Sequence, residues 1–160
     1  MLHNSLFQTK VRRGYTLVEI LIVLALMVLF GSVAGVSLFG RRNETDLDVA
    51  TKRIVTLLRE AQSRAVSQNS DTGWGVHFEN GNPAYVVLYS NSGHATTSYY
   101  VLPAMVVYAT SSLPSGNNRE VDFNRPDGTV PNPTSIVLNL LHSPDHSVTI
   151  TIGAQGTISY

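Results

Sequence analysis

The 160-residue chain contains no cysteine. That absence excludes disulfide frameworks, thiolate metal sites and cysteine nucleophiles together, and it leaves the compartment open. Charge is scarce as well: 14% of residues are Asp, Glu, Lys or Arg, against roughly 25% in ordinary soluble domains. The shortage is local, because the 20 residues from Ile20 to Phe39 include none that ionises. Basic residues are few toward the C-terminus. From Ala65 onward Arg119 and Arg125 stand against Asp71, Glu79, Glu120, Asp122, Asp127 and Asp145. A segment with that acidic excess does not attract phosphate backbones, which argues against DNA binding. Gly-x-Ser-x-Gly, phosphate-loop and dinucleotide glycine patterns are missing too, so no enzyme activity and no cofactor is expected.

What is present is concentrated near the start. The first 14 residues hold Lys10, Arg12 and Arg13 and no acid. The uncharged run Ile20–Phe39 comes next, and a helix of that length spans about 30 Å, the hydrocarbon thickness of a bilayer. A secretory signal has a shorter apolar core and a small-x-small cleavage site, whereas here Arg41-Arg42 stands directly after Gly40. The segment reads as a single membrane span. The leading cations place its N-terminal side in the cytoplasm and the bulk of the chain outside, with Arg41 and Arg42 as a partial counterweight.

Glu19 is the exception at the head of this helix. An acid beside a membrane segment either lies solvated among headgroups or has a specific partner. Gly31 and Gly35 form a Gly-x-x-x-Gly spacing. It suits close helix packing or local loosening, and it also occurs incidentally in membrane helices.

The order Arg13-Gly14-Tyr15-Thr16-Leu17-Val18-Glu19 before an apolar helix resembles the prepilin signature of type IV pilins and type II secretion pseudopilins, with Tyr15 where Phe is commoner. The resemblance implies cleavage between Gly14 and Tyr15 by a prepilin peptidase, and N-methylation of Tyr15. It implies that Glu19 then meets the Tyr15 amine of a neighbouring subunit and sets the register. It further implies other pilin or pseudopilin subunits as partners, an inner-membrane assembly platform, and membrane lipid before assembly. The localisation implied is the cytoplasmic membrane, then a pilus or pseudopilus filament.

Beyond Gly40 the pattern becomes amphipathic: Leu47, Ala50, Ile54, Leu57, Leu58, Ala61 and Ala65 recur every three or four residues. Asp48–Lys52 and Glu60–Arg64 have the spacing of ion pairs on an exposed helix face. From Gly73 the period becomes two. Strands are expected at Trp74–Glu79, Ala84–Ser90, Met105–Thr110, Glu120–Asn124, Ser135–Leu141, Val148–Ile152 and Thr157–Tyr160. The runs Asn91–Ser98 and Thr110–Asn118 read as loops, and Ser143-Pro144-Asp145 as a turn. His77 reads as an exposed strand residue. His142 and His146 flank Asp145, but Ser143-Pro144 keeps them off one helix face, so no metal site is expected.

The expected class is therefore α+β: a long N-terminal helix packed against an antiparallel β-rich head, the pilin fold that the resemblance implies. The expected boundaries are 1–14 for the leader, 15–40 for the membrane and filament-core helix, 41–67 for its amphipathic continuation, and 68–160 for the head. Trp74-Gly75-Val76-His77-Phe78, Val121-Asp122-Phe123-Asn124 and the closing Gly156-Thr157-Ile158 resemble GspH/FimT-type minor pilins. Some FimT-like members bind DNA through basic residues near the C-terminus, and the last 35 residues here have none. The alternative from another class is a single-pass membrane protein with a binding or adhesive head that never assembles.

Overall fold

The computed structural model describes residues 14–67, 73–90 and 95–160, without the side chains of residues 32–41. It divides into two compact units, Met1–Phe39 and Gly40–Tyr160. Among the described residues there is one helix, α1 (Leu17–Val66). Eight strands come after it: β1 (Trp74–Glu79), β2 (Tyr85–Ser90), β3 (Ala95–Val101), β4 (Val106–Tyr108), β5 (Asn118–Phe123), β6 (Thr134–Leu140), β7 (Ser143–Ile152) and β8 (Ile158–Ser159). They form two four-stranded sheets of order β3-β2-β1-β5 and β4-β6-β7-β8, with every pairing antiparallel. The architecture is α+β with a β-rich head.

In the second unit the helix is one-sided. All seven residues of the apolar stripe, from Leu47 to Ala65, are buried, each large one contributing roughly 1.5–3 kcal/mol over exposure. Lys52 donates to Asp48 at 2.7 Å and Arg64 to Glu60 at 2.5 Å. The Arg64 guanidinium also lies 4.6 Å from the centroid of the Trp74 ring.

Alternation supplies the rest of the core. Val76 and Phe78 of β1, Val86 and Leu88 of β2, and Val121 and Phe123 of β5 turn inward. The second sheet sends Tyr108, Ile136, Leu138, Ile150 and Ile152 into the same cluster. Phe78 and Tyr108 meet edge to face at 6.3 Å, joining the two sheets.

Polar atoms close one end of this assembly. Gln62 donates from Nε2 to the carbonyls of Gly128 and Gly156, at 3.3 and 3.0 Å. One helix side chain thereby ties the turn after β5 to the turn between β7 and β8. Both glycines have positive φ, 69° and 74°, a region that other L-residues enter at a cost.

Two expectations are corrected. Residues 95–98 of the expected loop Asn91–Ser98 belong to β3, while 91–94 lie outside the described residues. The signal was weak because β3 is an edge strand whose first three residues are exposed, so it need not alternate apolar and polar. The turn expected at Ser143-Pro144-Asp145 lies earlier, at Leu141-His142. Leu140 pairs with Ser143 and Asn139 with Ser147, so residues 144–146 bulge out of β7. A bulge accommodates Pro144, which has no N–H for the ladder.

Among the described residues no helix is long and apolar enough to cross a membrane. The expected span Ile20–Phe39 runs into residues 32–41, whose side chains lie outside the description. Residues 1–13, most of the expected leader, lie outside it altogether.

The Gln62 clamp gives a sharp contrast between glycines. A Cβ at Gly156 would lie 2.2 Å from the Gly128 carbonyl oxygen and 2.3 Å from Gln62 Nε2, whereas Gly116, also at positive φ, has nothing within 4 Å. Gly116→Ala is expected to cost only the backbone strain, about 1–2 kcal/mol. Gly156→Ala should lose a further ~1–3 kcal/mol through overpacking. Thermal unfolding of the full chain in detergent compares them, and equal losses would contradict the clamp.

Candidate assembly site

The helix start is built by local chemistry. Gly14 and Tyr15 precede α1 and both are exposed, Tyr15 to 81%. Thr16 caps the helix: its Oγ1 accepts from the Glu19 backbone N–H at 3.2 Å, and its carbonyl accepts from Ile20 N–H at 3.3 Å. The hydroxyl satisfies one of the amides that a first turn leaves without a partner. Glu19 thus occupies the third helical position, where a carboxylate is favoured by the dipole and the spacing is that of a capping box. Thr16 was missed as a functional position, although Thr-x-x-Glu ahead of an apolar run is a readable signal. Glu19 itself is exposed.

From this cap to Phe30, Glu19 apart, the helix is apolar on every side. Leu17, Val18, Ile20, Leu21, Met27 and Phe30 are each at least 47% exposed, and residues 14–31 are exposed without exception. A helix apolar all round requires cover from lipid or from other helices. Nothing lies within 4 Å of where a Cβ would stand on Gly31, and the helix continues unbroken through Gly35. The surroundings of Gly35 lie outside the description.

The histidines are dispersed. His77 is half-buried rather than exposed: its Nδ1 lies 3.1 Å from Glu120 and its Nε2 3.3 Å from Glu79. The two carboxylates approach opposite ring nitrogens, so they do not converge on one point. His146 Nδ1 lies 3.4 Å from Glu44, and His94 is outside the described residues. Among the described residues no three His, Cys, Asp or Glu side chains could share a metal ion.

The outward face of the first sheet has a distinct composition. Register places Gly75, His77 and Glu79 of β1 beside Tyr89, Val87 and Tyr85 of β2, and beside Asp122, Glu120 and Asn118 of β5. The Tyr85 and Tyr99 rings meet at a 39° tilt with centroids 5.0 Å apart. Tyr89 is buried and donates its hydroxyl to Asp122 at 2.6 Å. Burial, then this carboxylate, push the Tyr89 phenol well above its ordinary range. Burial does the same to Tyr108, whose hydroxyl donates to the Tyr85 carbonyl at 3.2 Å.

Two family models match. One described as type II transport protein GspH covers residues 50–156, and one described as the prokaryotic N-terminal methylation motif covers residues 9–35. No curated protein and no solved structure gives a significant match.

The phenol environments set an alkaline limit on stability. The folded chain holds the Tyr89 and Tyr108 protons more tightly than the unfolded chain does. Their contribution is therefore complete below the unfolded value near pH 10 and declines as pH rises above it. In an absorbance titration of the seven tyrosines, these two should ionise only as the head unfolds. Tyr89→Phe and Tyr108→Phe should each shrink that late phase. Ionisation of Tyr89 and Tyr108 while the head is still folded would contradict the assignment.

Proposed function

The chain belongs to the GspH family of type II transport proteins and carries the N-terminal methylation motif, and from that premise we propose that it is made as a membrane-anchored precursor, cut between Gly14 and Tyr15, and assembled into a filament. The family assignment makes it a pilin-type subunit of a type II secretion or type IV pilus system. The finer reading rests on one observation: an exposed, capped helix start opens directly into a helix that is apolar around its whole circumference.

The sequence of events follows from charge and exposure. Gly14 is accessible and carries no side chain, which suits an extended fit in a protease cleft. The cut removes Lys10, Arg12 and Arg13, the cations that hold the N-terminus on the cytoplasmic side. It also creates an amine on Tyr15, the proposed site of methylation by the prepilin peptidase. The apolar surface moves from lipid to neighbouring helices, drawn by the inner-membrane platform. Inside that bundle Glu19 pairs with the Tyr15 amine of a neighbour, since a buried carboxylate without a partner costs several kcal/mol. Gly31 and Gly35 give the helix its closest approach to neighbours, or a place to loosen. The role proposed is structural.

Intact-mass spectrometry of the membrane and filament fractions tests this. The expected species lacks residues 1–14 and carries one added methyl group. A retained leader would instead favour the single-pass protein that never assembles.

Glu19→Val separates the proposed register role from the capping role. The Thr16 cap uses the backbone amide of residue 19, so the helix start should persist. Incorporation into filaments should fall about a hundredfold or more, because an uncompensated buried charge costs about 3–5 kcal/mol. Quantitative immunoblotting of sheared filaments reads the change, and normal incorporation would refute the register role.

A further inference from the structure

The second unit carries opposite charge on two separate faces. On α1, Lys52 is engaged by Asp48 and Arg64 by Glu60. Arg53 and Arg59 are exposed and, among the described residues, form no ion pair. They flank the exposed Thr56 at helical spacings of three, with Arg53 close enough to Tyr100 of β3 to act on its phenol. The outward face of the first sheet is the complement. It bears Glu79 and Glu120, which hold the His77 ring between them, and Asp122, which accepts from Tyr89, and among its described residues it has no Lys or Arg. Beside these acids stands the tilted ring pair Tyr85–Tyr99, with Tyr99 55% exposed.

We propose that this acidic, tyrosine-bearing sheet face receives the Arg53–Arg59 helix face of a second copy of the chain. A guanidinium is matched by both features of the sheet: carboxylates accept its planar donors, and tyrosine rings accept its face. The contact joins two different surfaces, so it is heterologous and propagates instead of closing into a dimer. That geometry deepens the filament reading above and rests on it, while using the heads instead of the apolar helices. A shallow hollow beside the tyrosines, lined by His77, Tyr85, Val87, Thr96 and Glu120, gives the incoming side chain a seat.

The absence of cysteine makes the test clean. Full-length chains carrying Thr56→Cys and Thr96→Cys, distinguished by a mass tag, are mixed in detergent and oxidised. The expected product is a mixed disulfide between position 56 of one copy and position 96 of the other. Glu79→Lys with Glu120→Lys should lower its yield at least about tenfold, and so should Arg53→Glu with Arg59→Glu. Combining the two reversals on opposite copies should restore it. Both arginines are exposed, so their reversal leaves the fold intact even if the sheet reversal disturbs His77.

Disulfides only between like positions, or a yield indifferent to charge reversal, would overturn the proposal. Capture by position 96 of a different membrane protein but not of a second copy would overturn it as well. Leader removal is scored by mass on the same samples. A retained leader counts against the filament reading alone, and a missing cross-link counts against the docking face alone.

Discussion

The buried stripe from Leu47 to Ala65 is the surface on which the head is assembled, and its geometry constrains both sheets. Alanines at 50, 61 and 65 are fully buried. The larger Ile54, Leu57 and Leu58 fill the space between. Phe78 and Tyr108 carry that packing from one sheet to the other. Gln62, on the shoulder of the stripe, fixes the end of the assembly by holding the Gly128 and Gly156 turns. The C-terminal strands are thereby tied back to a helix almost a hundred residues earlier in the sequence.

The same helix obeys a different constraint in the first unit. There the apolar residues face every direction and remain exposed, which a chain alone in water does not sustain. The two halves therefore require different environments: one completes its own core, the other needs lipid or neighbouring helices. The Thr16 cap matters in this setting because it defines where the second kind of surface begins. It also leaves the Glu19 carboxylate free to answer a partner, since the capping bond uses the backbone amide.

Periodic features were readable from the chain. The stripe, the Asp48–Lys52 and Glu60–Arg64 pairs and the inward Trp74, Val76 and Phe78 of β1 all follow from local spacing, and burial enforces them. β3 was not readable, because an edge strand with Thr96 and Thr97 exposed has little apolar alternation to display. The turn before β7 was misplaced because Pro144 signals a break without saying whether it is a turn or a bulge. Gln62 left no signal at all: its partners are backbone carbonyls 66 and 94 residues away. Thr16 was legible as a cap, but the apolar run after it drew attention to the acid and away from the hydroxyl.

At the assembly site, sequence order placed Gly14, Tyr15 and Glu19 at one helix start, and the structure adds their exposure and the cap. The filament register we propose turns on Glu19 being answered by a neighbour's new amine. Zero-length carbodiimide coupling of intact filaments, followed by tandem mass spectrometry, tests that contact most directly. The predicted product is an amide joining the Glu19 carboxylate to the N-terminal amine of a neighbouring subunit. Its absence from filaments that contain the processed chain, with Glu19 coupled elsewhere, would contradict the pairing.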